Sequence, residues 1–209
     1  DYSDFGSTTT WKVTSRYAFT DKVALRGTVS TGFRAPSLQQ QYFQSTSTNF
    51  IGGVPYDIVT FRVNNPAALA LGSEPLKAEE STNYSLGLVL QPIDSLYITI
   101  DGYQIGVDDR ITLSENLTST AVRNYLNANG FPGVGGGRYF TNAIDTTTTG
   151  VDIIGTYTWA LEASNLDLTF GYNYNKTEID SVTPNPATLT AIDPTAVRFG
   201  RVELGRFEV

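Results

Sequence analysis

The sequence contains no cysteine, no histidine and no methionine. The first two absences exclude disulfides, thiol nucleophiles, imidazole or thiolate metal sites and a Ser-His-Asp triad. No apolar run approaches the roughly 20 residues that a membrane-spanning helix needs. Basic residues are scarce, since 14 Lys and Arg face 21 Asp and Glu, for a formal net charge of −7. We therefore predict no nucleic-acid partner, no metal, no cofactor and no enzymatic activity. Because neither an initiator methionine nor a signal segment is present, we expect an interior piece of a longer protein.

The 209 residues do show repeated alternation of apolar and polar side chains. The alternating segments are 11–19, 23–34, 84–91, 96–101, 151–159 and 166–175. Period two over such lengths predicts six strands, each with one apolar and one polar face. A seventh candidate lies at 201–209. After Gly102 the apolar parity changes to Tyr103 and Ile105, which indicates a bulge near Gly102 or departure from the layer that sets the pattern.

Short and long connections alternate along the chain. Tight turns join the first pair, the third and fourth, and the fifth and sixth strands, whereas long loops span approximately 35–79, 112–147 and 178–198. Within the loops, Asn65 and Pro66 predict one short helix, and the segment from Ser119 to Asn127 predicts another. Three loops of this length, separated by tight turns, are typical of an outer-membrane meander.

Two architectures place the apolar face differently. A soluble sandwich would bury it between sheets, whereas a membrane barrel would turn it to lipid and keep a polar lumen. Aromatic residues of the apolar parity cluster at both ends of the strands, and aliphatic residues lie between them, which favours the barrel. These aromatic residues are Trp11, Phe33, Tyr84, Tyr172 and Tyr174 at one end, and Tyr17, Phe19, Tyr157 and Trp159 at the other.

Five segments in order resemble TonB-dependent outer-membrane receptors. GFRAPS at 32–37 is similar to the family's G-F-[RK]-A-P-[ST] signature, and LKAEESTNYSLG at 76–87 resembles its L-x-[PA]-E-x-S-x-x-[YW]-E-[LV]-G strand entry. The stretch 99–111 resembles the strand that follows. TGVD at 149–152 resembles the K-G-[VI]-E strand start, with Thr149 where a basic residue is commoner. The segments at 2–5 and 12–17 resemble the preceding strand.

The resemblance implies an all-β antiparallel meander, a partial transmembrane barrel of six or seven strands out of 22. It implies that residues 1–209 belong to one barrel domain, without the N-terminal plug. It further implies location in the outer membrane of a Gram-negative bacterium, contact with outer-membrane lipid, and partnership with the protein's own plug and the TonB energy-coupling protein. The cargo class it implies is a scarce nutrient such as a siderophore, cobalamin or an oligosaccharide.

Aromatic and arginine side chains of the outer loops are the candidates for substrate contact. Rings stack on sugars or catechols, and guanidinium groups pair with anions. We expect Arg34 to face the lumen at the barrel mouth. The candidate residues are Arg34, Tyr42, Phe43, Tyr56, Arg62, Arg123, Arg138 and Tyr139. An alternative is that these side chains pack the loops onto one another.

Two other functions stay open on the sequence. A soluble or surface β-sandwich that binds carbohydrate would use the apolar parity as its core. A passive porin or adhesin barrel would keep the topology without energy coupling. Asp101, Asp152 and Asp167 all have the polar parity, as charges in a barrel lumen would, and we assign no catalytic residue.

Overall fold

The computed structural model describes residues 8–199 and consists mainly of strands. The strands are β1 (Lys12–Thr20), β2 (Val23–Arg34), β3 (Ser45–Ile51), β4 (Val54–Phe61), β5 (Glu79–Ile93), β6 (Leu96–Leu113), β7 (Val134–Leu161) and β8 (Ser164–Val182). The helices are α1 (Leu38–Tyr42), α2 (Pro66–Ala70), α3 (Thr120–Ala128) and α4 (Ala187–Ile192). None of the helices in this range has the length and apolar character needed to cross a membrane.

The strands of the described range form one sheet. Its order begins β1-β2-β5-β6-β7. Residues 144–161 of β7 then pair with β8, and residues within 134–139 of β7 pair with β4. Strand β4 in turn pairs with β3. All six predicted strands are present, as β1, β2, β5, β6, β7 and β8, and each pairs antiparallel with its neighbour. The β4–β7 pair alone among these is parallel. The seventh predicted strand, 201–209, lies outside the described residues.

The register separates the side chains into two faces. We call the side that carries Leu25, Leu88 and Ile153 the apolar face, since these residues are aligned across β2, β5 and β7. The opposite side, the polar face, carries Arg26 and Asp101. On the apolar face Leu86 is 61% exposed and Phe170 is 67% exposed. A β-sandwich would need a second sheet against this face, whereas residues 8–199 form a single sheet with the face uncovered.

A row of charged and polar side chains crosses the polar face at one level. The aligned positions are Arg16, Arg26, Gly87, Asp101, Asp152 and Asn173. Arg26 reaches over Gly87 to Asp101, and its Nε donates to Oδ1 at 2.9 Å. Asn173 donates from Nδ2 to Asp152. The row therefore links strands that are not direct neighbours, and it requires a residue without a side chain at position 87.

The parity change at Gly102 is not caused by a bulge. Pairing of β6 with β5 continues without a shift from Ile98 to Asp108, so of the two predicted alternatives the bulge near Gly102 is wrong and departure from the apolar layer remains. Tyr103 and Ile105 therefore lie on the polar face, and the strand leaves the apolar layer above Gly102. The irregularity lies higher, between Val107 and Arg110, where Asp109 has a positive φ of 56°.

The long connections fold together into one outer cap, which we define as residues 35–78, 114–140 and 183–199. Its core side chains come from β4, β7, α2, α3, α4 and the links between them, whereas α1 contributes no buried residue. The buried members are Val59, Phe61, Ala67, Ala68, Leu71, Leu117, Val122, Leu126, Tyr139 and Leu189. The two predicted helices are present as α2 and α3, capped by Asn65 and Ser119. The sequence did not predict α1, α4 or the β3–β4 hairpin.

The connections are shorter than the predicted loop bounds 112–147 and 178–198. Strand β7 already begins at Val134, and β8 continues to Val182. These upper strand segments escape detection because alternation marks only the part of a strand with one apolar and one polar environment. Where the strands extend toward the cap, beyond the residues of the apolar face, neither side of the strand has to be apolar. The alternating pattern therefore ends before the strand does.

Removing a core side chain should loosen the cap. Leu126 is 0% exposed on α3, so Leu126→Ala leaves a cavity and should lower the opening free energy of α3 by about 2–4 kcal/mol. Native-state hydrogen exchange of the α3 amides in the full-length protein measures this quantity. The control is Val197→Ala, at a side chain that is 60% exposed, which should change the value by less than about 0.5 kcal/mol. Equal effects of the two variants would contradict a cap with its own core.

A side chain at position 87 should disrupt the charged row. An added Cβ would lie 2.0 Å from Asp101 Oδ1 and 2.8 Å from Arg26 Nε. Gly87→Ala should therefore lower the free energy of unfolding by about 1–3 kcal/mol, as overpacking does. At Gly171 a Cβ would meet nothing within 4 Å, so Gly171→Ala is the matched control. Denaturant unfolding of the two variants in detergent checks the difference, and unchanged stability of Gly87→Ala would refute the bridging role of this row.

Candidate functional site

An ion pair stands where β2 enters the outer cap. Arg34 and Glu79 are direct partners across β2 and β5. Arg34 Nε donates to Glu79 Oε2 at 2.8 Å, and its Nη2 donates to the other carboxylate oxygen. The backbone N–H of Ile111 donates to the same carboxylate at 2.8 Å. Glu79 is therefore a buried, fully engaged carboxylate that joins three strands, whereas the Arg34 side chain stays largely exposed.

The cap contains an open cleft, and its lining residues lie between Arg34 and Glu79 in the sequence. Its lining residues come from α1, from the link after β4, from α2 and from the link before β5, and they enclose a volume of about 500 Å³. They are Gln41, Tyr42, Val63, Asn64, Leu69, Pro75 and Leu76. One phenol and two carboxamides supply the polar groups, and none of these lining side chains carries a charge. The cleft is therefore suited to an uncharged, partly apolar ligand surface.

Local sequence signals position the cleft walls. Ser37 caps α1 through a capping box, accepting from the N–H of Gln40 while Gln40 Oε1 accepts from the N–H of Ser37. Asn65 caps α2 by accepting from the N–H of Ala67 at 2.9 Å. Ser73 Oγ donates to the carbonyl of Val63 at 2.9 Å, which fixes the link after β4. The walls are thus held by hydrogen bonds of their own and are preformed.

The candidate residues occupy three kinds of position. Tyr42 lines the cleft and is 51% exposed. Phe43 and Arg62 are exposed and each is the chain neighbour of a lining residue. Tyr56 and Arg123 come together at another place, where the guanidinium lies 5.6 Å from the ring centroid.

Arg123 and Arg138 mainly tie parts of the cap together. Arg123 donates to the Thr118 carbonyl and to Thr120 Oγ1, at the start of its own helix. Arg138 Nε donates to Thr60 Oγ1 at 3.1 Å and so links β7 to β4. Both side chains remain partly exposed. Each of these partners is a group of the cap itself, which agrees with the alternative that these side chains pack the loops onto one another.

Tyr139 does not have the exposed position expected of a substrate contact. It is 0% exposed in the core of the cap, and its hydroxyl donates to the carbonyl of Leu71 at 3.1 Å. Burial raises the pKa of Tyr139 above its ordinary value. Its ring belongs to the same buried cluster as Ala67, Ala68 and Leu71, at and just after α2. It is therefore a core residue and leaves the set of candidate contacts.

The third connection, residues 183–199, packs against the other two parts of the cap. Asp193 accepts from the backbone N–H and the hydroxyl of Thr195 at 3.0 and 2.7 Å. A hydrogen bond from Ser119, the cap of α3, is the main cause that lowers the pKa of Asp193. Arg198 donates from Nη2 to the carbonyls of Thr183 and Pro184, and burial lowers its pKa. These bonds hold α4 against the rest of the cap.

Sequence reasoning missed the neutral lining of the cleft and the role of Glu79. Gln41, Asn64 and Leu69 are not aromatic or cationic, so a search for stacking and ion-pairing groups passes over them. The Asn-Pro helix start at 65–66 did place Leu69 on a helix, but it carried no indication that this helix lines a cleft. Among residues 8–199 there is also no group of three acidic side chains placed to hold a metal ion.

The match to a protein-family model agrees with this architecture. The family model of the TonB-dependent receptor-like β-barrel matches residues 1–207. The RagAB peptide importer in its closed-closed state aligns with a TM-score of 0.54 at 15% identity, over 87% of this chain and 19% of that chain. A mutant of the ferric enterobactin receptor PfeA from Pseudomonas aeruginosa aligns with a TM-score of 0.48 at 17% identity, over 82% and 22%. A search of curated proteins finds no match.

The chain spans only 19–22% of the length of these two structures. The family match, in contrast, covers nearly all of its residues, and the single sheet with one uncovered apolar face is what a part of such a barrel requires. The chain belongs to the TonB-dependent receptor family and forms part of its β-barrel.

Proposed function

We propose that this chain forms part of the barrel wall and part of the extracellular opening of an outer-membrane receptor that imports a scarce nutrient. The observation that carries the proposal is the division of one sheet into an exposed apolar face and a face crossed by a charged row. An apolar face of this kind is stable against lipid, and a charged face is stable against water. TonB-dependent receptors are as a class receptors and transporters rather than enzymes, and the proposed location is the Gram-negative outer membrane.

The proposed first contact of the cargo is the cleft that Tyr42 lines. It lies in the cap, at the end of the sheet opposite the tight turns, and so on the outer side of the barrel. The neutral lining favours an uncharged part of the cargo, such as a sugar, a corrinoid or the ligand backbone of a siderophore. Arg62 is exposed next to the lining residue Val63 in the chain and would meet anionic groups of such a cargo. Arg34 is exposed too and would meet them from its ion pair with Glu79.

Energy coupling is the part of the proposal that separates an importer from a passive barrel. The proposed partners are the protein's own N-terminal plug, which would meet the polar face, and the TonB protein. The Arg26–Asp101 pair leaves the acidic Asp152 and the basic Arg16 on opposite sides of the same row. This separation of charge gives a plug a surface with a defined orientation.

Uptake by the full-length receptor should depend on TonB. Radiolabelled ferric siderophores, cobalamin and oligosaccharides would be offered to a receptor-deletion strain that carries the receptor gene on a plasmid. We expect at least one of them to accumulate, and its accumulation should fall to the level of the deletion strain when TonB is removed. Accumulation that continues without TonB would support the passive porin instead.

Truncating Tyr42 should weaken binding of the identified cargo. Loss of one stacking ring is worth about 1–1.5 kcal/mol, so Tyr42→Ala should raise the Kd about tenfold. The matched control is Val197→Ala, an exposed apolar side chain of the cap outside the cleft, which should leave the Kd within about twofold. Calorimetry with the full-length receptor in detergent measures both. An unchanged Kd for Tyr42→Ala would remove the cleft from the cargo site and leave the import function untouched.

A further inference from the structure

Strand β3 is the outermost strand of the cap and has a free edge. It ends the strand order after β7 and β4, and no strand within residues 8–199 pairs with its other side. Residues 45–50 are all exposed, and they contain no charge and no proline. Proteins usually protect such an edge with charges, prolines or bulges. Here the edge is regular and unprotected.

The hairpin turn determines which backbone groups face outward. Gly52 and Gly53 both have positive φ, 62° and 83°, as a two-residue type I′ turn requires. Ile51 and Val54 therefore form the hydrogen-bonded pair that closes the hairpin. Antiparallel pairs alternate along a ladder, so the N–H and C=O groups of Thr46, Thr48 and Phe50 point away from β4. Three donors and three acceptors thus line the free edge.

The rest of the cap holds this edge rigid. Strand β4 pairs with β7 from Asp57 to Phe61, and its Val59 and Phe61 belong to the cap core. Thr48 Oγ1 donates to Asp57 Oδ1 at 2.9 Å, which adds a side-chain bond between β3 and β4. A fixed edge loses little conformational entropy when another strand pairs with it.

We propose that the free edge of β3 binds an extended, uncharged peptide segment as an added strand. Backbone pairing supplies the hydrogen bonds, as in other cases of β-augmentation. Phe50, which is 75% exposed, lies at the turn end of the edge and packs against an apolar side chain of the peptide. Asp57, next to the edge, disfavours an acidic peptide. This inference does not depend on the proposed import function.

The test uses a capped heptapeptide of alternating threonine and valine with a neutral dye, and fluorescence anisotropy with the full-length receptor in detergent. Thr48→Pro removes the outward N–H, and proline is tolerated in edge strands at such a position. The control, Thr48→Val, keeps that N–H, and both variants lose the bond to Asp57. We expect Thr48→Pro to raise the Kd at least tenfold and Thr48→Val to leave it within about threefold.

A second probe covers the case in which Thr48→Pro fails to form the hairpin. The same heptapeptide with every amide N-methylated keeps the side chains and loses the donors, so its binding to the unaltered receptor should fall at least tenfold. Equal binding of the two peptides, or equal binding by Thr48→Pro and Thr48→Val, would overturn the proposal. A receptor dimer that Thr48→Pro dissociates would overturn it too, because the edge would then belong to a second copy.

Discussion

The backbone has to satisfy its hydrogen bonds without water, and this constraint organises the sheet. In the apolar band each N–H and C=O needs a partner from a neighbouring strand, since an unpaired group in hydrocarbon costs several kcal/mol. Pairing of β6 with both neighbours is accordingly unbroken from Ile98 to Val107. A paired sheet of this kind turns one face to lipid and the other to water. Side chains therefore divide into the apolar face and the face that carries the charged row.

Toward the cap, beyond the residues of the apolar face, the constraint is relaxed and the backbone becomes less regular. A bulge with Asp109 at positive φ, the parallel β4–β7 pair and four short helices all lie there. Water can satisfy the backbone at these places, but the cap still needs stabilisation, and it obtains a buried core of its own. The Arg34–Glu79–Ile111 contact stands at the border, where it ties β2, β5 and β6 beneath the cap.

The membrane-facing half of the fold was predictable, and the cap was not. Alternation in 23–34 identifies β2 with its bounds, because both environments act on every residue. In the cap, an aromatic residue looks the same whether it binds a ligand or fills a core, so Tyr139 was expected outside and lies inside. The predicted loop 112–147 includes the glycines at 133–137, yet β7 begins there. At Gly137 a Cβ would lie 1.9 Å from the Val59 carbonyl, so the glycine permits close strand approach. The neutral cleft lining left no signal of charge or ring to follow.

The most direct test asks which face meets lipid. The chain has no cysteine, so single cysteines at Leu86, Ser85, Leu88 and Val89 of β5 can each carry a fluorophore in a full-length receptor in which any cysteine outside this chain is replaced by serine. In bilayers with brominated acyl chains, the account predicts strong quenching at Leu86 and Leu88 and little at Ser85 and Val89. Quenching at Ser85 and Val89, or at none of the four positions, would contradict it.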